Sequence, residues 1–137
     1  MAVGFTCGAF DLLHAGHIAM LKEAKSKCDF LIVGLQVDPT LDRPHKHKPV
    51  QSIYERWLQL SAVKYVDQII PYDSESSLLD LLHSTEIDVR FVGEDYFPNK
   101  HFTGRELDIP IVYTSRQHSF SSTELRKRIS EDSSNGK

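Results

Sequence analysis

Little in this chain points to a stapled, secreted or membrane-spanning protein. Its two cysteines, Cys7 and Cys28, are too few for a disulfide framework, and their spacing fits no metal-ligand pattern. Both read as reduced, buried small residues. The N-terminus, MAVGFTCGAF, has no basic region leading into an apolar run, so no signal peptide is expected. No apolar stretch is long enough to span a bilayer, and a reducing cytoplasm is the expected location. Charge of one sign is also missing. Sixteen Lys and Arg against nineteen Asp and Glu leave a formal net charge of −3, so no global field draws the chain to nucleic acid or an anionic membrane, and neither is expected as a partner. Any polyanion must meet a local basic site. There is no internal repeat and no linker, which predicts one domain over residues 1–130. The polar tail 131–137 has nothing to bury and is expected to be disordered.

What is present is an alternation of two periods. Short apolar runs predict strands at about Ala2–Cys7, Phe30–Val37, Tyr65–Ile70, Val89–Val92 and Ile109–Tyr113. Between them, apolar residues recur at helical spacing: Ile18, Leu21 and Ala24; Tyr54, Trp57, Leu58 and Ala62; Leu78, Leu79, Leu81 and Leu82. A last helix is expected from about Ser122 to Ile129. Ser52 with Glu55, and Ser121 with Glu124, have the spacing of capping boxes. Strands alternating with helices predict an α/β fold with a five-stranded parallel sheet covered on both faces. In such sheets ligands bind beyond the carboxyl ends of the strands, where the strand order switches. The loops after the strands are therefore where chemistry is sought.

The first such loop reads Gly8-Ala9-Phe10-Asp11-Leu12-Leu13-His14-Ala15-Gly16-His17 and runs straight into a helix. Gly8 permits a tight turn close to a ligand. Gly16 and His17 fall at the helix N-terminus, where free backbone N–H groups favour an anion. Two imidazoles three residues apart can each donate a hydrogen bond to a phosphate oxygen. A His pair alone also suits half a zinc site, but no third ligand is placed to complete one.

This loop resembles the signature of the cytidylyltransferase-like nucleotidyltransferases, and most of all that of the glycerol-3-phosphate cytidylyltransferase group. The resemblance runs from Val3 to about Ile129, through Tyr54-Glu55-Arg56, Tyr65-Val66-Asp67, Gly93-Glu94-Asp95-Tyr96, and Arg116 followed by Ser121-Ser122-Thr123. It implies a Rossmann-like fold, a homodimer, and an in-line attack by an acceptor phosphate on the α-phosphorus of a nucleoside triphosphate. Mg2+ would be bound mainly through the triphosphate, with no protein metal site. His14 and His17 would hold the triphosphate and stabilise the transition state, with Lys46 and Arg116 as further catalytic groups. Gly8, Ala9 and Phe10, then Lys64, Glu94, Asp95, Ser121, Ser122 and Thr123 would complete the nucleotide site. Asp11, Lys46, Lys48 and Arg56 would meet the acceptor.

Several of these residues also have plainer readings. Asp11 suits a turn-forming cap. The loop Asp38–Val50, with Arg43, His45, Lys46, His47 and Lys48, reads as a solvated charged loop if the resemblance is set aside. Arg56 suits a surface ion pair with Glu55 or Asp67. Two features depart from the glycerol-phosphate pattern. The helix Ser74–His83 carries no lysine, and Phe120-Ser121-Ser122-Thr123-Glu124-Leu125-Arg126 resembles the ending of adenylyltransferases in the same superfamily. The leading expectation is CTP plus a phosphorylated small alcohol, glycerol 3-phosphate above others, giving a CDP-alcohol and pyrophosphate. The alternatives are an adenylyltransferase acting on a sugar phosphate, and a nucleotide-binding regulatory module without turnover.

Overall fold

Five parallel strands are laid down as β1 (Val3–Gly8), β2 (Phe30–Gln36), β3 (Gln68–Tyr72), β4 (Val89–Gly93) and β5 (Ile111–Thr114). They stand in the order β3-β2-β1-β4-β5. This computed structural model describes residues 1–93, 101–115 and 122–134. The chain steps outward from β1 through β2 to β3, then crosses back to place β4 on the other side of β1. The switch between β1 and β4 opens a crevice at their carboxyl ends. The fold is therefore the expected Rossmann-like α/β arrangement.

Helices α1 (Ala15–Ser26) and α2 (Ile53–Ser61) cover one face, and α3 (Glu75–Ser84) the other. On the first face Leu21 and Ala24 of α1 and Leu60 of α2 pack on Leu31, Val33, Leu35 and Phe91. On the second, Leu78 and Leu82 of α3 pack on Phe5, Ile32 and Tyr72. Each fully buried leucine contributes about 2 kcal/mol. The apolar runs of β1 and β2 follow from burial on both faces. Ser52 caps α2 as its spacing predicts: its hydroxyl accepts the Glu55 N–H at 3.1 Å, and its own N–H donates to the Glu55 carboxylate at 2.9 Å. Among the described residues no helix is long and apolar enough to cross a membrane.

Several boundaries differ from the sequence reading. β3 begins at Gln68 rather than Tyr65, because Asp67 is spent on a turn: its carboxylate accepts the Leu31 N–H at 2.8 Å and pairs with Lys25 at 2.5 Å. β3 also runs past Pro71 to Tyr72, which an edge strand tolerates because one side of its backbone needs no partner. The final helix, α4 (Ser122–Ser134), extends five residues beyond Ile129 into the polar tail where disorder was expected.

Arg56 is the largest correction. Expected at the acceptor, it is 2% exposed and spent on backbone. Its guanidinium donates to the carbonyls of Gln51 (3.1 Å), Ala9 (3.0 Å), Gln36 (2.5 Å) and Val37 (2.5 Å). Asp11, also expected at the acceptor, works beside it. Its carboxylate accepts the N–H groups of Val50 (2.8 Å) and Gln51 (2.9 Å) and lies 3.5 Å from Arg126. Together the two side chains fasten the loops after β1 and β2 to the start of α2. They hold the site's walls.

Removing the guanidinium leaves four carbonyls without their charged donor. Arg56→Met is expected to cost about 3 kcal/mol or more, read as a lowered urea midpoint at unchanged slope. Arg56→Lys should rescue little of this, because an ammonium cannot span the same fork. A variant of wild-type stability would return Arg56 to the role of a ligand contact.

Candidate active site

A cavity of about 530 Å3 lies at the carboxyl ends of β1 and β4. Its first wall is the loop after β1 and the start of α1: Gly8, Ala9, His14, Gly16 and His17. His14 is the N-cap of α1, in extended backbone at φ −141°. Its Nδ1 accepts the Gly16 N–H at 3.0 Å, while the His14 N–H donates to Nδ1 of His17 at 3.2 Å. The helix is thus capped by two imidazoles, their centroids 4.0 Å apart.

This capping has a chemical consequence. A neutral ring whose Nδ1 accepts a hydrogen bond must carry its proton on Nε2. Both rings therefore present an Nε2–H donor at a helix N-terminus, where backbone N–H groups and the dipole already favour an anion. His17 stays neutral well into acid. Burial first, then the neighbouring His14, lower its pKa to about 4, against an opposing pull from Asp11. Phe10 does not line the cavity. It is buried at φ +50° with its ring 5.3 Å from that of His17, which it backs.

The basic loop is split by the fold. Lys46 lines the cavity, and Arg43 beside it forms a 2.6 Å ion pair with Glu75 at the start of α3. Lys48 lies instead in a separate depression with Asp38, Val50 and Arg56. Lys64 is a further correction. It follows α2 and precedes β3, at the amino ends of the strands, where it lies 5.3 Å from the Tyr65 ring. The site is at the opposite edge of the sheet. Thr123 is exposed in the first turn of α4 and is not among the cavity's lining residues. Glu94, Asp95, Arg116 and Ser121, with the Ser121–Glu124 capping box, and the side chain of Ser122 lie outside the described residues. Cys7 lines the cavity, and both cysteines are free but half-buried, where burial was expected.

The second wall lay hidden from sequence reasoning. Tyr72, Glu75, Leu78, Arg90, Phe102 and Thr103 close the cavity on the α3 side. The Glu75 carboxylate accepts the Thr103 hydroxyl as well as pairing with Arg43. Burial raises the Tyr72 phenol, with Cys7 adding to the shift, so it stays protonated. Arg90 is the residue a closer reading could have found. It is a charge inside a run read as a doubly buried strand, where charged residues are rare unless paired.

Comparison with known proteins fits this geometry. Residues 5–128 match the family described as cytidylyltransferase-like. The bifunctional protein HldE of Caulobacter sp. strain K31 is 41% identical over 97 residues, covering 70% of this chain and 20% of that protein. HldE of Acidiphilium cryptum is 37% identical over 107 residues, 77% of this chain and 22% of that protein. The chain thus spans about a fifth of the length of these curated relatives. Among solved structures, a lipopolysaccharide core biosynthesis protein from Thermoplasma volcanium superposes with a TM-score of 0.62 at 26% identity, over 96% of this chain and 88% of that one. Pantothenate synthetase from Thermus thermophilus, at TM-score 0.59 and 18% identity over 93% of this chain and 64% of that one, shares the fold.

The lowered pKa of His17 has a definite sign in stability. Below pH 6.5 an unfolded His17 binds a proton that the folded one refuses until about pH 4. Stability from neutral His17 is then complete above pH 6.5 and is lost as pH falls toward 4, by roughly 3 kcal/mol at most. NMR titration should show one imidazole that stays neutral to about pH 4 and is absent in His17→Gln, and that variant should lose part of the acid limb of stability. An ordinary histidine titration curve for His17 would contradict the buried, Nδ1-accepting arrangement.

Proposed function

The chain belongs to the cytidylyltransferase-like family of nucleotidyltransferases, and from that premise we propose that it joins a nucleoside triphosphate to a phosphorylated small molecule and releases pyrophosphate. The observation that carries this reading is the pair of Nε2–H donors of His14 and His17, set at the N-terminus of α1 inside the cavity. Two imidazoles at a helix N-terminus, with Lys46 in the same cavity, suit a crowded polyphosphate. They do not suit a nucleophile, and none is needed. The acceptor phosphate brings its own anionic oxygen, which forms the new P–O bond at the α-phosphorus. The bond from that phosphorus to the α,β-bridging oxygen breaks, and pyrophosphate leaves with the electron pair. Catalysis is then positioning plus stabilisation of charge on the transferring group.

Mg2+ belongs to the proposal as the ion that neutralises the triphosphate, carried on phosphate oxygens and water. A homodimer is also retained. Tyr54, Trp57 and Leu58 of α2 are 66%, 41% and 51% exposed, an apolar strip that a second copy would cover.

For the acceptor we favour a sugar phosphate. The supporting finding is the likeness to HldE proteins and to a protein of lipopolysaccharide core biosynthesis, a saccharide structure. ATP is the matching nucleotide, because the Phe120–Arg126 segment resembles adenylyltransferase endings. The second reading, CTP with glycerol 3-phosphate, rests on the signature of the loop after β1.

The test is pyrophosphate release with each of four nucleotides against a panel of sugar phosphates and phosphorylated alcohols. ATP with a sugar phosphate should give the highest kcat/KM, and His17→Ala should lower kcat by about a hundredfold, the scale for one preorganised donor. CTP with glycerol 3-phosphate in first place would select the second reading. Nucleotide binding without release for any pair would make the chain a regulatory module.

A further inference from the structure

On the α3 side of the cavity, away from the imidazoles, Arg90 is 3% exposed. It stands on β4 opposite Phe5 of β1, so its side chain leaves the sheet on the α3 face and runs toward the carboxyl edge. One Nη donates to the Thr103 carbonyl. The other has only the Cys7 thiol, at 3.8 Å, and the Nε–H has no partner at all among the described residues. The guanidinium lies 4.9 Å from the Phe102 ring, which orients it without neutralising it. No carboxylate among the described residues pairs with it. Glu75, in the same wall, is taken by Arg43 and by the Thr103 hydroxyl. The turn that carries Thr103 packs closely here: Gly104 has φ +83°, and a Cβ there would lie 2.7 Å from Leu82 Cδ1 and 2.8 Å from the Arg90 Nη.

A buried charge held in this way is costly unless something compensates it. The edge formed by Nε–H and the second Nη is the geometry that grips a carboxylate or phosphate through two parallel hydrogen bonds. Among the described residues the Cys7 thiol is the only hydrogen-bond partner of that edge. We propose that Arg90, supported by Thr103 and Phe102, is the acceptor-specificity residue of this site and binds an oxyanion of the acceptor through its Nε/Nη edge. This rests on the nucleotidyl-transfer reading only for the identity of the acceptor. The oxyanion is either the reacting phosphate or a second anionic group of the same molecule.

The experiment follows the arginine Nε–Hε signals of the full chain by NMR, with Arg90 assigned by its loss in Arg90→Lys. Inorganic phosphate is titrated alone and then with a non-hydrolysable nucleotide analogue at saturation. The Arg90 signal should move saturably in both titrations. A signal that does not move, or that moves only while the nucleotide site is empty, overturns the proposal. Analogue binding and pyrophosphate release report separately on the nucleotidyl-transfer reading. In turnover, Arg90→Lys should raise the acceptor KM tenfold or more and leave the nucleotide KM within twofold. An equal rise for singly and doubly anionic acceptors assigns the reacting phosphate to Arg90, and a rise confined to doubly anionic ones assigns the second anion. An unchanged acceptor KM overturns the proposal. Should the lysine variant fail to fold, the wild-type titration with backbone-linked assignment still decides.

Discussion

The site depends on a clamp built from one carboxylate and one guanidinium, both engaged with backbone. Asp11 and Arg56 reach across from the loop after β1 and from α2 to take up backbone groups at Ala9, Gln36, Val37, Val50 and Gln51. Those groups end strands or begin helices, so they have no partner in the sheet and would be costly to bury unpaired. A single carboxylate and a single guanidinium satisfy them and set the distance between the two loops. The cavity mouth is what remains between loops fixed in that way. The His14-bearing loop can be precise at one end because it is bolted at the other.

The second constraint is that folding and chemistry share the same atoms. The backbone groups that must be capped at the start of α1 are capped by the rings expected to meet phosphate. Holding each Nδ1 as an acceptor fixes the tautomer, and burial keeps His17 neutral. The donors therefore need no reorganisation when charge develops beside them, which is the condition for effective electrostatic stabilisation. Arg90 shows the opposite balance. There a charge is buried without a counter-charge among the described residues, and the fold bears the cost through the Thr103 carbonyl and the Phe102 ring.

Most of the architecture was legible in the sequence, because each strand and helix carries its own period and its own caps. The loop after β1 was legible because a helix N-terminus and two histidines mean something at fixed spacing. What was not legible depends on distance in the chain. Arg56 and an arginine that grips phosphate look alike in sequence, since nothing local reveals four carbonyls gathered from three segments. Lys46 and Lys48 differ by two positions and line different depressions, a separation set by the path of the loop. Lys64 was assigned by the family resemblance alone, and the chain puts it between α2 and β3, at the amino ends of the strands. Arg90 was hidden by the apolar run around it, and the wall it belongs to is assembled from β3, α3, β4 and the 102–104 turn.

In the proposed transfer the chain would position two substrates and take no covalent part. Cys7 lies at the cavity as a half-buried thiol against Arg90, and both imidazoles are committed through Nδ1 to the backbone. The most direct test is stereochemical. A nucleotide made chiral by sulfur at the α-phosphorus, turned over with the preferred acceptor, should give a product of inverted configuration from one in-line displacement. Retention would require two displacements and a covalent intermediate on Cys7, His14 or His17, and would contradict the account.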